Sequence, residues 1–187
     1  KEAIALIDKI LMAKFLEMFG DPATNPKGWE VRRLGEVVTT ATGGTPLRKI
    51  KEYWENGTIP WIKSGELNDS FIYDSEEKIT PQGLENSNAK LYPEGTLFIA
   101  MYGATAGKLG MLKIKAATNQ AICAIFPNKN YLEKWYLWFY FLKTRDILLN
   151  QRFGGAQPNL SQDFICSIRI PLPPIELQKQ FAQIVEE

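Results

Sequence analysis

The chain contains no histidine. That absence excludes a Ser-His-Asp triad, a Cys-His pair, histidine metal ligation and the commonest general base. Cysteine is scarce as well. Cys123 and Cys166 lie far apart, each inside an apolar run ("AICAIF", "FICSIRI"). With no C-x-x-C pair, neither a zinc site nor a disulfide framework is expected, and the two read as reduced core thiols of a cytosolic protein. An excess of one charge is missing too: 22 lysines and arginines stand against 21 acids, for a net charge of +1. A uniformly basic coat is therefore absent. No apolar run reaches the ~18 residues of a membrane span, and no signal peptide is visible. The expected location is the cytoplasm, with no membrane partner. The sequons at Asn56, Asn68 and Asn159 are expected to be idle.

What is present is enough apolar material for a core, at 45% hydrophobic residues over a length of 187, with five tryptophans among the aromatics. Charge is segregated along the chain. Residues 99–130 hold four lysines (Lys108, Lys113, Lys115, Lys129) and no acid. Residues 65–78, "GELNDSFIYDSEEK", hold five acids against one lysine. Such a distribution permits a local basic patch on a nearly neutral protein.

The fold class expected is α+β, with a mixed β-sheet, packed helices and an amphipathic helix at each end. Residues 1–19 read as a helix with an apolar stripe at Ile4, Ile7, Leu11, Phe15 and Met18, stopped by Gly20-Asp21-Pro22. "DPATNPKGW" is a turn-rich linker. "TIPWI", "TLFIAM", "LGMLKI" and "QAICAIF" read as short strands. Thr80 and Pro81 open a short helix as N-cap and first residue. Residues 131–149 are apolar nearly all round, which predicts a helix buried against the sheet. "FICSIRIPLPP" reads as a last strand, and "PPIELQKQFAQIVEE" begins a final helix with Glu176 in its first turn. The two terminal helices are too marginal to stand alone. They are expected to form an antiparallel pair or coiled coil, within the chain or across a dimer.

Three segments invite a chemical reading. "GATAGKLG" from Gly103 falls short of a nucleotide-binding loop: it has three residues between the glycines where four are needed, and Leu109 where a Ser or Thr should follow the lysine. A glycine-rich connection between strands is the plainer account, with Lys108 available to phosphate. The acids from Asp69 to Lys78 admit a small metal-dependent nuclease, although a solvated face explains them as well. No "NPPY"-like tetrapeptide or methyl-donor turn marks a methyltransferase. In "GGTPLRKIKEYW", Gly43 and Gly44 can take positive φ, and Pro46 keeps Thr45 extended, which makes a rigid corner. Arg48, Lys49 and Lys51 beside Tyr53 and Trp54 mix base and aromatic as a nucleic-acid surface would. Helices and an aromatic surface that bind only protein are the other reading left open.

The order of these pieces resembles the specificity subunit of type I restriction–modification systems over nearly the whole chain. "FLEMFGDPATNPKGWEVRRLGEV" is similar to the end of that family's central conserved helix and the entry to a target-recognition domain. "GGTP", "YWENGTIPWI", "GTLFIAMYGATAGKLG" and "NQAICAIFP" resemble successive landmarks of the domain. "GGAQPNLSQDFICSIRIPLPPIELQKQ" resembles its exit, except that Leu177 replaces the Glu usual before Gln178. The resemblance implies a spacer-helix end at residues 1–20, a target-recognition domain at 21–173 and the start of the next spacer helix at 174–187.

It also implies a subunit without catalytic activity that binds double-stranded DNA and reads half of a split sequence. Methyltransferase subunits would dock on the conserved helices and modify adenine at N6, and motor-nuclease subunits would join for cleavage. S-adenosylmethionine, ATP and magnesium would belong to those partners, and this chain would bind no cofactor. A chain with one such domain is expected to be a fragment, or a half-subunit that dimerises. The DNA-binding set expected around the glycine loops is Thr45, Arg48, Lys49, Lys63, Ser64, Tyr102, Thr105, Lys108, Asn119 and Gln120.

Overall fold

The computed structural model describes residues 2–151 and 159–187, with side chains from residue 6 onward. In chain order the elements are α1 (Glu2–Phe19), β1 (Glu30–Arg33), β2 (Val38–Thr42), β3 (Ile59–Ile62), β4 (Ser70–Ile72), β5 (Glu77–Ile79), α2 (Pro81–Glu85), β6 (Leu97–Ala100), β7 (Leu109–Leu112), β8 (Ala117–Thr118), β9 (Ile122–Pro127), α3 (Lys134–Asn150), α4 (Gln162–Ser167), β10 (Arg169–Leu172) and α5 (Ile175–Glu186). Short single-turn helices interrupt several of the connections. The α+β expectation holds. The chain divides into two compact units, one of residues 1–39, 127–148 and 166–187, the other of 40–126 and 149–165.

The first unit gathers the long helices α1, α3 and α5. Strands β1 and β10 pair antiparallel, Glu30 opposite Leu172 and Arg33 opposite Arg169. Phe15 and Phe19 of α1, Tyr136 and Phe139 of α3 and Phe181 of α5 form one aromatic cluster, with ring centroids 4.9 to 5.9 Å apart. Edge-to-face pairs of this kind add to the burial of each ring. The terminal helices therefore pack on each other within the chain. Only the later part of the α1 stripe is covered: Phe15 and Phe19 are buried, whereas Leu6, Ile7 and Ile10 are more than half exposed. Ile4, also placed on that stripe, has its side chain outside the described residues.

Helix α3 is buried on every side from Trp135 to Phe141, as its apolar sequence requires. It groups with the terminal helices and the β1–β10 pair, not with the larger sheet. The Tyr136 hydroxyl donates to Pro171 O at 2.7 Å. The helix starts at Lys134 because Asn128 builds a turn before it, accepting Tyr131 N and Leu132 N on its carbonyl and Asn130 N on its side chain. Gln178, fully buried in α5, locks the same turn: its Oε1 accepts Glu133 N at 2.9 Å, and its Nε2 donates to Tyr131 O at 3.0 Å and Pro173 O at 2.8 Å.

One expected strand begins later than its sequence suggested. "FICS" lies in α4, because Ser161 caps it: Phe164 N donates to Ser161 Oγ at 3.2 Å and Ile165 N to Ser161 O at 3.0 Å. Only Arg169–Leu172 is extended. Cys166 is consequently half-buried on a helix, while Cys123 is fully buried in β9.

The second unit holds the two larger sheets. Five strands run in the order β2-β9-β6-β7-β4. β6 lies antiparallel to β7 and β9, and β4 runs parallel to β7. β6 and β7 are buried at every position, which is why their sequences are continuously apolar rather than alternating. A second sheet, β5-β3-β8, pairs β3 antiparallel to β5 and parallel to β8. Ile62, Leu67, Phe98, Leu112 and Ile122 form one core cluster; Trp61, Ile79, Ala89 and Ala117 form another. Thr80 caps α2 as expected, accepting Gly83 N at 3.1 Å, with Pro81 as the first helical residue.

Candidate nucleic-acid interface

The "GGTP" turn follows β2 and is pinned against the β5-β3-β8 sheet. Gly44 N donates to Thr118 O at 2.9 Å, and the Trp61 indole donates to Gly44 O at 2.9 Å. The Thr45 hydroxyl donates to Gln120 Oε1 at 2.6 Å. Neither Gly43 nor Gly44 has a positive φ. Their lack of a side chain serves close packing: a Cβ on Gly43 would stand 2.1 Å from Thr118 O, and one on Gly44 would stand 2.5 Å from the Asn88 carbonyl carbon. The expectation of positive φ is thus corrected; the turn is shaped by what it abuts. In the "GATAGKLG" connection the reverse holds, since Gly103 and Gly107 have φ of +76° and +80°.

These contacts bring most of the expected residues into one connected region. Asn119 N donates to Ile62 O at 3.0 Å, next to Lys63. The Thr105 hydroxyl donates to Ser64 O at 2.9 Å. Tyr102, exposed, forms an isolated bridge with Asn159. Lys49 is exposed nearby in sequence to Arg48.

Three of the four expected cations, Arg48, Lys63 and Lys108, are a different matter, because acids hold them. Lys108 Nζ lies 2.8 Å from Asp69 Oδ2, and Asp69 Oδ1 also accepts Leu109 N at 3.0 Å. Lys63 Nζ contacts Glu76 at 2.6 Å and Glu77 at 3.3 Å. Hydrogen bonding to Glu76 raises the Lys63 pKa, with Glu77 adding to it. Arg48 makes a two-pronged pair with Glu77 and stacks over Trp54, 3.7 Å from the ring centroid. The Arg48 hydrogen bond holds the Glu77 carboxyl below its usual range, helped by Lys63. So the acid-rich segment folds back onto the expected basic residues. The basic patch anticipated around Lys108 is neutralised at Lys108 itself. Among the described residues no group of three His, Cys, Asp or Glu is arranged to hold a metal ion, and no described helix is long and apolar enough to cross a membrane.

Beside Thr45 and Gln120 the surface opens into two adjoining crevices. One of about 550 Å3 is lined by Thr42, Gly43, Ser87, Asn88, Ala89, Lys90 and Gln120. The other, about 400 Å3, is lined by Thr45, Leu47, Glu85, Asn86, Ser87 and Asn88. The segment "NSNAK" that forms their shared wall was missed from sequence. Its signal was a run of amides and hydroxyls directly after the end of α2.

Residues 26–187 match the family model described as "Type I restriction modification DNA specificity domain". The chain belongs to this specificity-domain family. It is 30% identical over 162 residues to the type I restriction enzyme EcoR124I/EcoR124II specificity subunit of Escherichia coli, covering 84% of this chain and 40% of that protein. It is 31% identical over 164 residues to the type I restriction enzyme MjaIX specificity subunit of Methanocaldococcus jannaschii, covering 86% of this chain and 38% of that protein. The chain thus spans about two fifths of the curated relatives it matches. The fold is shared with the crystal structure of the HsdS subunit from Thermoanaerobacter tengcongensis, at a TM-score of 0.67 and 21% identity, over 99% of this chain and 44% of that one. A structure of a type I restriction–modification system gives a TM-score of 0.70 at 21% identity, over 99% of this chain and 45% of that one. In this specificity domain Gly43 and Gly44 serve close packing, and Gln178 of the exit segment holds the turn before α3.

Proposed function

We propose that this chain is a DNA target-recognition domain of a type I restriction–modification specificity subunit, without catalysis of its own. It binds double-stranded DNA and reads one half of a split sequence. Methyltransferase subunits dock on its flanking helices and methylate adenine at N6 with S-adenosylmethionine. Motor-nuclease subunits, using ATP and magnesium, join for cleavage. A split target calls for a second recognition half beside this one. The observation that carries the reading is the family match over residues 26–187, nearly the whole of the described chain. The geometry supports it against a metal nuclease, since Asp69, Glu76 and Glu77 are committed to lysine, arginine and backbone partners. The test is to reconstitute the chain with its cognate methyltransferase subunits and map methylated adenines across a genome. Methylation at one split motif, dependent on this chain, is expected. A map that is the same without the chain would refute the proposal, and magnesium-dependent cutting by the isolated chain would restore the nuclease.

A further inference from the structure

A recognition domain needs phosphate contacts to fix its register on the duplex before any base is read. Lys49, exposed and without an ion pair among the described residues, lines neither crevice. The other cations expected to supply such contacts, Arg48, Lys63 and Lys108, are paired with Glu77, Glu76 and Asp69. Recruiting them to phosphate would mean breaking an existing ion pair for each one gained. Lys90 differs. It is exposed, lines the larger crevice and has no ion pair among the described residues.

The rest of that crevice carries neutral hydrogen-bonding groups. The Ser87 hydroxyl oxygen accepts Ala89 N at 3.2 Å, and its own proton has no acceptor among the described residues. The Gln120 oxygen is engaged by Thr45, and its amide nitrogen has no partner among the described residues. Asn88 is exposed on the wall that both crevices share. Gly43 leaves one side of the crevice without a side chain. A concave surface with several neutral donors and one unpaired cation suits a sugar–phosphate backbone. It does not suit base edges, which lie recessed in the grooves of a duplex and are met by protruding elements.

Resting on the DNA-recognition reading above, we propose that the crevice between the "GGTP" turn and the Asn86–Lys90 segment seats one strand's sugar–phosphate backbone. Lys90 supplies the charge, and Ser87, Asn88 and Gln120 supply neutral donors.

The test uses the complex of this chain with its cognate methyltransferase subunits. Its affinity is measured for a duplex carrying the mapped target and for a scrambled duplex, over a series of salt concentrations. Losing one released counterion should weaken binding by about fivefold at ~0.15 M salt and reduce the slope of log affinity against log salt by about 0.9. Lys90→Ala should do both on both duplexes and leave the methylated motif unchanged. Asn88→Ala should weaken both duplexes with the slope unchanged, because a neutral donor is lost. Circular dichroism reports folding, and if Lys90→Ala unfolds, Lys90→Gln takes its place with the same expectation. An unchanged salt slope for the folded Lys90 variant overturns the proposal, and so does a loss confined to the target duplex. A wild-type complex that neither binds nor methylates a specific site refutes the recognition reading itself, which is a different result.

Discussion

Replacing Gln178 should disconnect α5 from the turn that starts α3. Its side chain is fully buried and serves one backbone N–H and two backbone carbonyls. Gln178→Ala leaves Glu133 N, Tyr131 O and Pro173 O without those partners. At about 1 kcal/mol net for each of three bonds, the loss is about 3 kcal/mol. Gln178→Met fills a similar volume and makes none of the bonds, so it should lose nearly as much; a cavity alone would predict recovery. Gln178→Glu keeps the acceptor for Glu133 N but sets a carboxylate against two carbonyl oxygens, and should be at least as damaging. Urea unfolding followed by far-ultraviolet circular dichroism measures this. With an m-value of about 2 kcal/mol/M, the midpoint should fall by about 1.5 M. A shift under about 0.3 M for Gln178→Ala, or a Met variant as stable as wild type, would refute the reasoning.

Phe181→Ala empties the centre of the first unit's aromatic cluster and should cost about 3–5 kcal/mol by the same unfolding assay. Gly43→Ala drives a methyl group into the backbone of Thr118, so it should lose about 1–3 kcal/mol; a neutral result would show that the turn has room to shift. The depressed pKa of Glu77 has a defined sign in acid. Its stabilising effect is present above the usual carboxylate pKa of 4.5 and is lost as pH falls through the lower folded value. Glu77→Gln should therefore flatten the loss of stability below about pH 4.5, and an acid-unfolding profile identical to wild type would count against the Arg48 pairing.

Local signals in the sequence settled the local structure. β6, β7 and β9 were legible because strands buried on both faces need unbroken apolar runs. The start of α2 was legible from Thr80-Pro81, and the burial of α3 from its lack of a polar face. The missing histidine and the landmark order pointed to recognition rather than catalysis. Tertiary structure decided the site, because its partners are distant in sequence. Lys108 meets an acid 39 positions away, and Thr45 meets an amide 75 positions away. The parallel pairing of β4 with β7 creates the first proximity and the Gly44 N–Thr118 O hydrogen bond the second, and no local periodicity encodes either. A lysine's availability to phosphate depends on whether an acid faces it after folding. For that reason the acid-free run around Lys108 misled, and the unremarked Lys90 became the better candidate.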